Sequence, residues 1–294
     1  MQGKTVLITG ATSGIGYHTA LRLASMGARV AFTSRNEEKG RRTAEAISRE
    51  CGHDQVHVIP CDLASFASVR DAASGFREQF DRLDVLINNA GLWENRRRES
   101  KDGVEMNLAV NHLAPFLMTL WLLPMLRQGE GGRVISVSSD AHKSARFNFD
   151  DPELKKMYIG FVAYAQSKLA NILFVQKLGR LYPVEELTAN ALHPGVVATQ
   201  LFDKVTPWLK RLFGIFMRAP RNGARTNIYL ASSPEVAQIS GKYFVDQKPK
   251  APSKAAQNTA TADALWDLSK RFVNDFLPPE EQLSETAASS KSQA

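Results

Sequence analysis

Apolar positions along this chain alternate between two rhythms. Short runs of β-branched and other apolar residues, KTVLIT (4–9), ARVAFT (28–33), VHVIP (56–60), LDVLIN (83–88), GRVISVS (132–138), LTANALH (187–193) and GKYFVD (241–246), predict seven strands. Several are apolar throughout, as parallel strands covered on both faces are. Between them, segments 14–27, 37–50, 65–80, 104–127, 162–181 and 221–231 carry apolar residues mostly at spacings of three and four, which predicts helices. Strand and helix in steady succession imply right-handed crossovers and one α/β domain, a doubly wound (Rossmann) parallel sheet with helices on both faces. Two stretches break the rhythm, 140–161 and 194–220, and connections of that length usually form lids or binding loops. The domain is expected to span 1–277, and the small, polar residues from Pro278 to Ala294 to be a disordered tail.

Composition narrows this picture a little. A chain of 294 residues, 44% hydrophobic and 23% charged, can bury a sizeable core. Cys51 and Cys61 are too few for a disulfide framework and fall in no metal-ligand pattern, so a reducing compartment, the cytoplasm, is expected, and no metal. The strand pattern starts within four residues of Met1, which leaves no room for a signal peptide, and no apolar run is expected to reach the roughly 18 residues of a membrane span. The net charge of +7 is spread along the chain, and RRRESK (96–101) lacks the interleaved aromatics of a nucleic-acid groove. A phosphate-bearing cofactor accounts for some of the charge, and no nucleic-acid partner is expected.

TVLITGATSGIG places Gly10, Gly14 and Gly16 directly after the first strand, at the opening of the first helix. Glycines there let the backbone turn tightly and approach a pyrophosphate, whose charge then meets the helix N-terminus. The same turn holds Ser13 and Ile15. At the end of the second strand, where an NAD-binding fold carries an acid for the ribose, this chain has Ser34 followed by Arg35. A guanidinium suits a 2′-phosphate through paired, charge-assisted hydrogen bonds, so NADP(H) is the expected cofactor.

AYAQSKLAN (163–171) puts Tyr164 four residues before Lys168 on one predicted helix. Residues at that spacing are surface neighbours, and a nearby cation favours the ionised form of an acid. Lys168 is therefore expected to lower the phenol of Tyr164 from its usual value of about 10 and make it a general acid or base.

TGATSGIG, NNAG (88–91), VSS (137–139), YAQSK (164–168) and HPG (193–195) occur in this order, and with them the chain resembles the short-chain dehydrogenase/reductases from Lys4 to about Phe276. NHLAPFLMT, VSSDAH, YAQSKLANILF and LHPGVVAT are similar to the versions found in the retinol dehydrogenase and WW-domain oxidoreductase group, although the hydrophobic N-terminal anchor of the membrane-bound members is not seen here. The resemblance implies an oxidoreductase, a carbonyl reductase or alcohol dehydrogenase, with Asn111, Ser139, Tyr164 and Lys168 as its catalytic four. Tyr164 would pass a proton to or from the substrate oxygen, and Lys168 would hold the nicotinamide ribose. Ser139 would steady the charge on that oxygen, with Ser138 as the competing serine, and Asn111 would distort its helix and hold a relay water. It also implies Asp62 and Leu63 at the adenine, Asn89, Ala90 and Gly91 under the adenosine ribose, and Pro194, Gly195, Val197 and Thr199 around the carboxamide. His112, His142 and His193 read as structural.

The leading expectation is NADPH-dependent hydride transfer to or from a small apolar alcohol, aldehyde or ketone. A non-catalytic NADP-binding regulator is the alternative from another class. VTPWLKRLFGIFMRAP (205–220), with apolar residues at Trp208, Leu209, Leu212, Phe213 and Phe216, is expected to cover the substrate or to rest on a membrane surface. A homo-oligomer stays open.

Overall fold

The computed structural model describes residues 1–129, 131–195 and 219–281. The expected cover at 205–220, apart from Ala219 and Pro220, lies outside the described residues, as do Val197, Thr199 and the tail from 282 onward.

Five successive strands and their helices follow the predicted rhythm: β1 (Thr5–Thr9), α1 (Gly14–Ser25), β2 (Arg29–Ser34), α2 (Glu37–Cys51), β3 (Val56–Pro60), α3 (Phe66–Gln79), β4 (Val85–Asn88), α4 (Met106–Gln128) and β5 (Gly132–Val137). Then come α5 (Gly160–Leu181), β6 (Leu187–His193), α6 (Pro220–Ser232), β7 (Tyr243–Val245), β8 (Lys248–Lys250) and α7 (Thr259–Phe272). The sheet runs β3-β2-β1-β4-β5-β6-β7-β8, parallel except for the last pair. Strand order reverses between β1 and β4, and a crevice at that switch point, outside the carboxyl ends of the strands, is where such sheets take ligands.

Alternation along the strands divides the core in two. Val6, Ile8, Val85, Ile87, Ile135 and Val137 face one way, into the layer of α1 and α6. Leu7, Leu86 and Val134 face the other, into α3, α4 and α5. On this second side α7 completes the layer, with Trp266 against Phe116 of α4 (ring centroids 5.0 Å) and Phe174 of α5 (6.0 Å).

Three expectations are corrected. The sheet has eight strands, because the chain turns back after β7 through Asp246 and Gln247, both at positive φ (50° and 65°), the conformation of a two-residue hairpin with the twist of its strands. Pro278 to Glu281, expected in the disordered tail, are folded onto the protein: Pro278 is buried, and Glu281 pairs with Lys270 at 2.9 Å. The apolar run expected to be absent exists as α4, which by length and composition could cross a membrane, but 89% of its apolar window is buried inside this protein, as in a core helix. Cys61 is buried and Cys51 half-buried, and neither is in a disulfide.

β1 and β4, the two strands at the switch point, are tied at their lower ends by Asp84. Its carboxylate accepts from the Thr5 amide (2.8 Å), from Arg82 Nε (2.9 Å) and from Lys4 Nζ (3.0 Å). Burial pushes this carboxyl up, but the bonds from Arg82, Thr5 and Lys4 outweigh it and hold it below the usual carboxylate range. A depressed carboxyl contributes stability that is complete above its unfolded value, about 3.9, and is lost as pH falls through the folded value. Asp84→Asn should therefore lower stability at neutral pH by about 2 kcal/mol, the scale of a hydrogen bond to a charged group. Thermal melts should show the gap between variant and wild type closing as pH falls below about 4; a gap independent of pH would mean the loss is steric.

Candidate active site

β1 ends at Thr9 and the chain turns at Gly10, whose φ is +71° and whose missing Cβ would stand 2.9 Å from Ala90 Cα. Only glycine allows both the turn and that contact between the β1 and β4 loops. Asn89 staples the turn, its Nδ2 donating to the carbonyls of Thr9 (2.9 Å) and Gly10 (3.1 Å), while Thr9 Oγ1 accepts from the amides of Asn89 and Ala90 at 3.0 Å each. The side chain of Asn89 is thus a brace of the cradle. Gly14 (φ +60°), Ile15 and Gly16 begin α1. Ser13 stands at its N-cap in extended conformation, yet its side chain bonds none of the first-turn amides. An uncapped helix start aimed at a glycine cradle fits a pyrophosphate.

At the end of β2, Ser34 turns its hydroxyl into the chain, donating to the Asn36 carbonyl at 2.7 Å, and Arg35 is exposed. Asp62 follows the neighbouring β3. It accepts from the Ala64 amide (3.1 Å) and pairs with Lys101 (2.9 Å). Burial pushes its carboxyl up, and Lys101, the Ala64 amide and the charge of Arg35 together bring it below the usual range. Arg35 and Asp62 therefore stand close enough to feel each other at one rim. Leu63 packs, half-buried, on the core behind them. No acid occupies the β2 end, so the residues present fit a cofactor with a phosphate on this ribose.

The catalytic candidates meet at the upper end of β5. Ser139 follows it and caps the short 3₁₀ turn Asp140–Ser144, accepting from the Ala141 amide at 3.2 Å. Its hydroxyl lies near enough to Tyr164 to pull the phenol downward. Ser138, the competing serine, is buried and donates to the Lys168 carbonyl at 2.6 Å, so it fastens α5 to β5. His142 completes the support. Its Nε2 accepts from the Ser253 amide (3.1 Å), which leaves the proton on Nδ1 to donate to the Ser139 carbonyl (2.6 Å).

Tyr164 is 7% exposed and Lys168 3%. Lys168 Nζ lies 5.7 Å from the centre of the Tyr164 ring and donates to the Val137 carbonyl at 2.9 Å. The expectation that Lys168 lowers the phenol is corrected: burial dominates and pushes Tyr164 up to about 12, with the nearby Ser139 hydroxyl pulling the other way. Burial also brings Lys168 down to about 8. In both cases loss of water disfavours the charged form.

Asn111 lies in a π turn, Ala109–Leu113, inside α4, the local distortion expected of it. Its Nδ2 donates to the Leu92 carbonyl and to Ser167 Oγ, both at 2.9 Å, and its Oδ1 accepts from the Leu92 amide at 2.8 Å. Both amide hydrogens are taken, which leaves one lone pair of Oδ1 for a water. Gly91 sits beside this group: a Cβ there would lie 3.1 Å from Lys168 Nζ and 3.3 Å from Asn111 Oδ1, room that a ribose edge needs. Pro194 and Gly195, at the end of β6, are half-buried and are the last described residues before 196. His112 is buried on Ser269 Oγ (2.8 Å), and burial lowers it to about 3, a structural neutral imidazole. No cluster of metal-ligating side chains occurs among the described residues.

Sequence reasoning passed over Trp93, which stands against Tyr164, and Glu105, Asn107 and Tyr158, which hold the peptide that follows Trp93. Trp93 stacks on the Tyr164 ring, centroids 5.2 Å apart and planes within 10°. Its signal in the sequence, an aromatic two residues after NNAG, has meaning only once α5 lies next to that loop.

The sequence matches the family model described as short chain dehydrogenase over residues 4–210. It is 41% identical to human retinol dehydrogenase 14 across 93% of this chain and 87% of that protein. Among solved structures, an uncharacterized protein from Mycobacterium paratuberculosis is similar at a TM-score of 0.77 and 34% identity, over 93% of this chain and 94% of that one. The RhlG/NADP active-site complex of Pseudomonas aeruginosa is similar at a TM-score of 0.69 and 28% identity, over 83% of this chain and 94% of that one. With a family match over that span and a retinol dehydrogenase matched along almost its whole length, the chain belongs to the short chain dehydrogenase family, as an oxidoreductase of its retinol dehydrogenase-like group.

Proposed function

We propose that this oxidoreductase works with NADP(H) on an apolar alcohol, aldehyde or ketone, through Ser139, Tyr164, Lys168 and Asn111. The observation that carries the reading is the convergence of a buried phenol, a serine hydroxyl near it and a buried amine at the upper end of β5, beside Gly91. The nicotinamide, when bound, supplies or takes up hydride. In the reducing direction Tyr164 donates its proton to the carbonyl oxygen, and Ser139 holds that oxygen as negative charge develops on it. A phenol held near 12 is fully protonated at neutral pH, the state a general acid needs. In the oxidising direction Tyr164 accepts the alcohol proton, and a charged Lys168 favours the phenolate this requires. Lys168 would hold the nicotinamide ribose, and Gly91, expected under the adenosine ribose, stands beside that amine instead; the Gly10–Gly16 turn would hold the pyrophosphate and Arg35 the 2′-phosphate.

Apolar substrates are supported by the rim of the site. Among the described residues, Phe149 (39% exposed), Met157 (72%), Ile159 (50%), Phe161 (43%) and Val162 (40%) leave large apolar surface in the water, in the connection before α5 and in its first turn. Such a patch marks a binding surface. Val197 and Thr199 complete the carboxamide contacts in this proposal. The wild-type protein with NADPH on a panel of aldehydes and ketones tests the reading. Turnover supports it, whereas tight NADPH binding with no turnover on any member would favour a cofactor-sensing regulator.

Tyr164→Phe removes only the transferable proton and should lower kcat by about a hundredfold or more, with NADPH affinity changed less than about twofold. A smaller loss in steady-state rate would remove Tyr164 from the acid/base role. Lys168, brought to about 8 by burial, loses its charge as pH rises through that value, so kcat/KM for reduction should fall there. Lys168→Met should abolish this limb of the pH profile along with most of the rate; an unchanged profile would exclude Lys168 as its source. Arg35→Ala should weaken NADPH binding by about 1.5–3 kcal/mol and leave NADH binding as it was. Calorimetric titration with both cofactors checks this, and equal losses would make Arg35 structural.

A further inference from the structure

Trp93 covers one ring face of Tyr164 and leans on Phe161, one turn earlier on the same helix, at 5.9 Å. Its indole N–H is buried and has no hydrogen-bond partner among the described residues, so no polar bond of its own fixes the ring. The backbone beside it is fixed instead. The amide of Glu94 donates to Asn107 Oδ1 (3.1 Å), and the carbonyl of Glu94 shares the one proton of the Tyr158 hydroxyl (2.9 Å) with the Glu105 carboxylate. Both partners converge on one buried carboxylate: Glu105 Oε1 accepts from Asn107 Nδ2 (2.7 Å) and from Tyr158 (2.9 Å), while Oε2 accepts from the Leu108 amide (2.7 Å) at the start of α4. Gly160 lets the loop come close, since a Cβ there would stand 2.6 Å from the Glu94 carbonyl oxygen.

We propose that Trp93 determines substrate specificity at this site, forming with Phe161 an aromatic corner against Tyr164 that selects a flat, unsaturated group next to the reacting carbon, and that Tyr158 and Glu105 are positioning residues that hold it there. The proposal rests on the functional reading above and deepens it. A flat ring can stack on the indole as Tyr164 does, at offset or edge contact. A saturated ring of the same size finds the same volume but no stacking partner. The clasp matters because the indole borrows its position from the peptide that follows it.

The test compares naphthaldehyde, cyclohexanecarboxaldehyde and butanal as substrates with NADPH for wild type, Trp93→Phe, Trp93→Ala, Tyr158→Phe and the Trp93→Ala/Tyr158→Phe double variant. Wild type should prefer naphthaldehyde to the saturated ring by about tenfold or more in kcat/KM, within the range that pocket contacts deliver. Trp93→Phe keeps a ring and should keep most of the preference. Trp93→Ala should lose it, with KM for naphthaldehyde rising far more than KM for butanal. Tyr158→Phe should lose part of it, and the double variant should be no worse than Trp93→Ala alone, because the clasp acts through the indole. A preference that survives Trp93→Ala, or losses that add in the double variant, would overturn the proposal. A second readout needs no turnover: naphthylmethanol binding to the NADPH-loaded protein, measured by calorimetry, should weaken about tenfold in Trp93→Ala. Equal affinity would refute the aromatic corner. That affinity difference in a wild type that turns over no aldehyde would refute the functional reading and leave the corner standing.

Discussion

A primary amine buried to 3% exposure is the constraint around which this site is arranged. Removing an ammonium from water is costly unless acceptors replace the lost hydration. Lys168 has the Val137 carbonyl at the end of β5, and Asn171 donates to the same oxygen at 3.2 Å, so one carbonyl organises both side chains of α5. Ser138 then fastens the Lys168 carbonyl back to the strand. These bonds fix the height of α5 against the sheet. That height brings Tyr164 to Ser139 and leaves the space at Gly91 in front of the amine. The same desolvation keeps the phenol protonated and lowers the amine toward neutrality. The pair thus combines a phenol that keeps its proton with an amine brought within reach of losing its own, both in a dry place.

Around this pair the polar network is layered by function. Asn89 and Thr9 brace the glycine turn, Asn111 and Ser167 brace the loop after Gly91, and His142 braces Ser139 from behind. Asn89, Thr9, Asn111 and His142 use side-chain atoms to satisfy backbone groups of loops that have no ladder to join, and Ser167 holds the Asn111 side chain in place. The loops at the carboxyl edge are therefore held as firmly as strands while staying open to a ligand on their free side.

Most of the frame was legible in the sequence because its signals are local. Apolar runs of four to six residues, glycines after β1, and Tyr164 four before Lys168 each report on neighbours in the chain. What the sequence hid depends on distant contacts. β8 escaped because its hairpin turns through Asp246 and Gln247 without the glycine that marks such turns. The raised phenol of Tyr164 escaped because Lys168 is visible in the sequence and burial is not. Asn111 was seen as a helix distortion, but that its amide hydrogens belong to Leu92 and Ser167 required α5 to be in place. Trp93 and Glu105 lie in a polar loop whose importance appears only when the connection before Tyr164 folds over it.

The last helix has a consequence in time. Phe116 and Phe174, from the middle of the chain, complete their packing on Trp266, and Trp121 donates its indole N–H to the Phe276 carbonyl at 2.8 Å. Domains are built on the ribosome from the N-terminus onward. A nascent chain that has already made the nucleotide cradle, the π turn and the Tyr164 helix therefore still has the apolar side of α4 and α5 uncovered until its final residues emerge. During that interval the most apolar helix among the described residues keeps one side uncovered, and synthesis of α7 is what withdraws it.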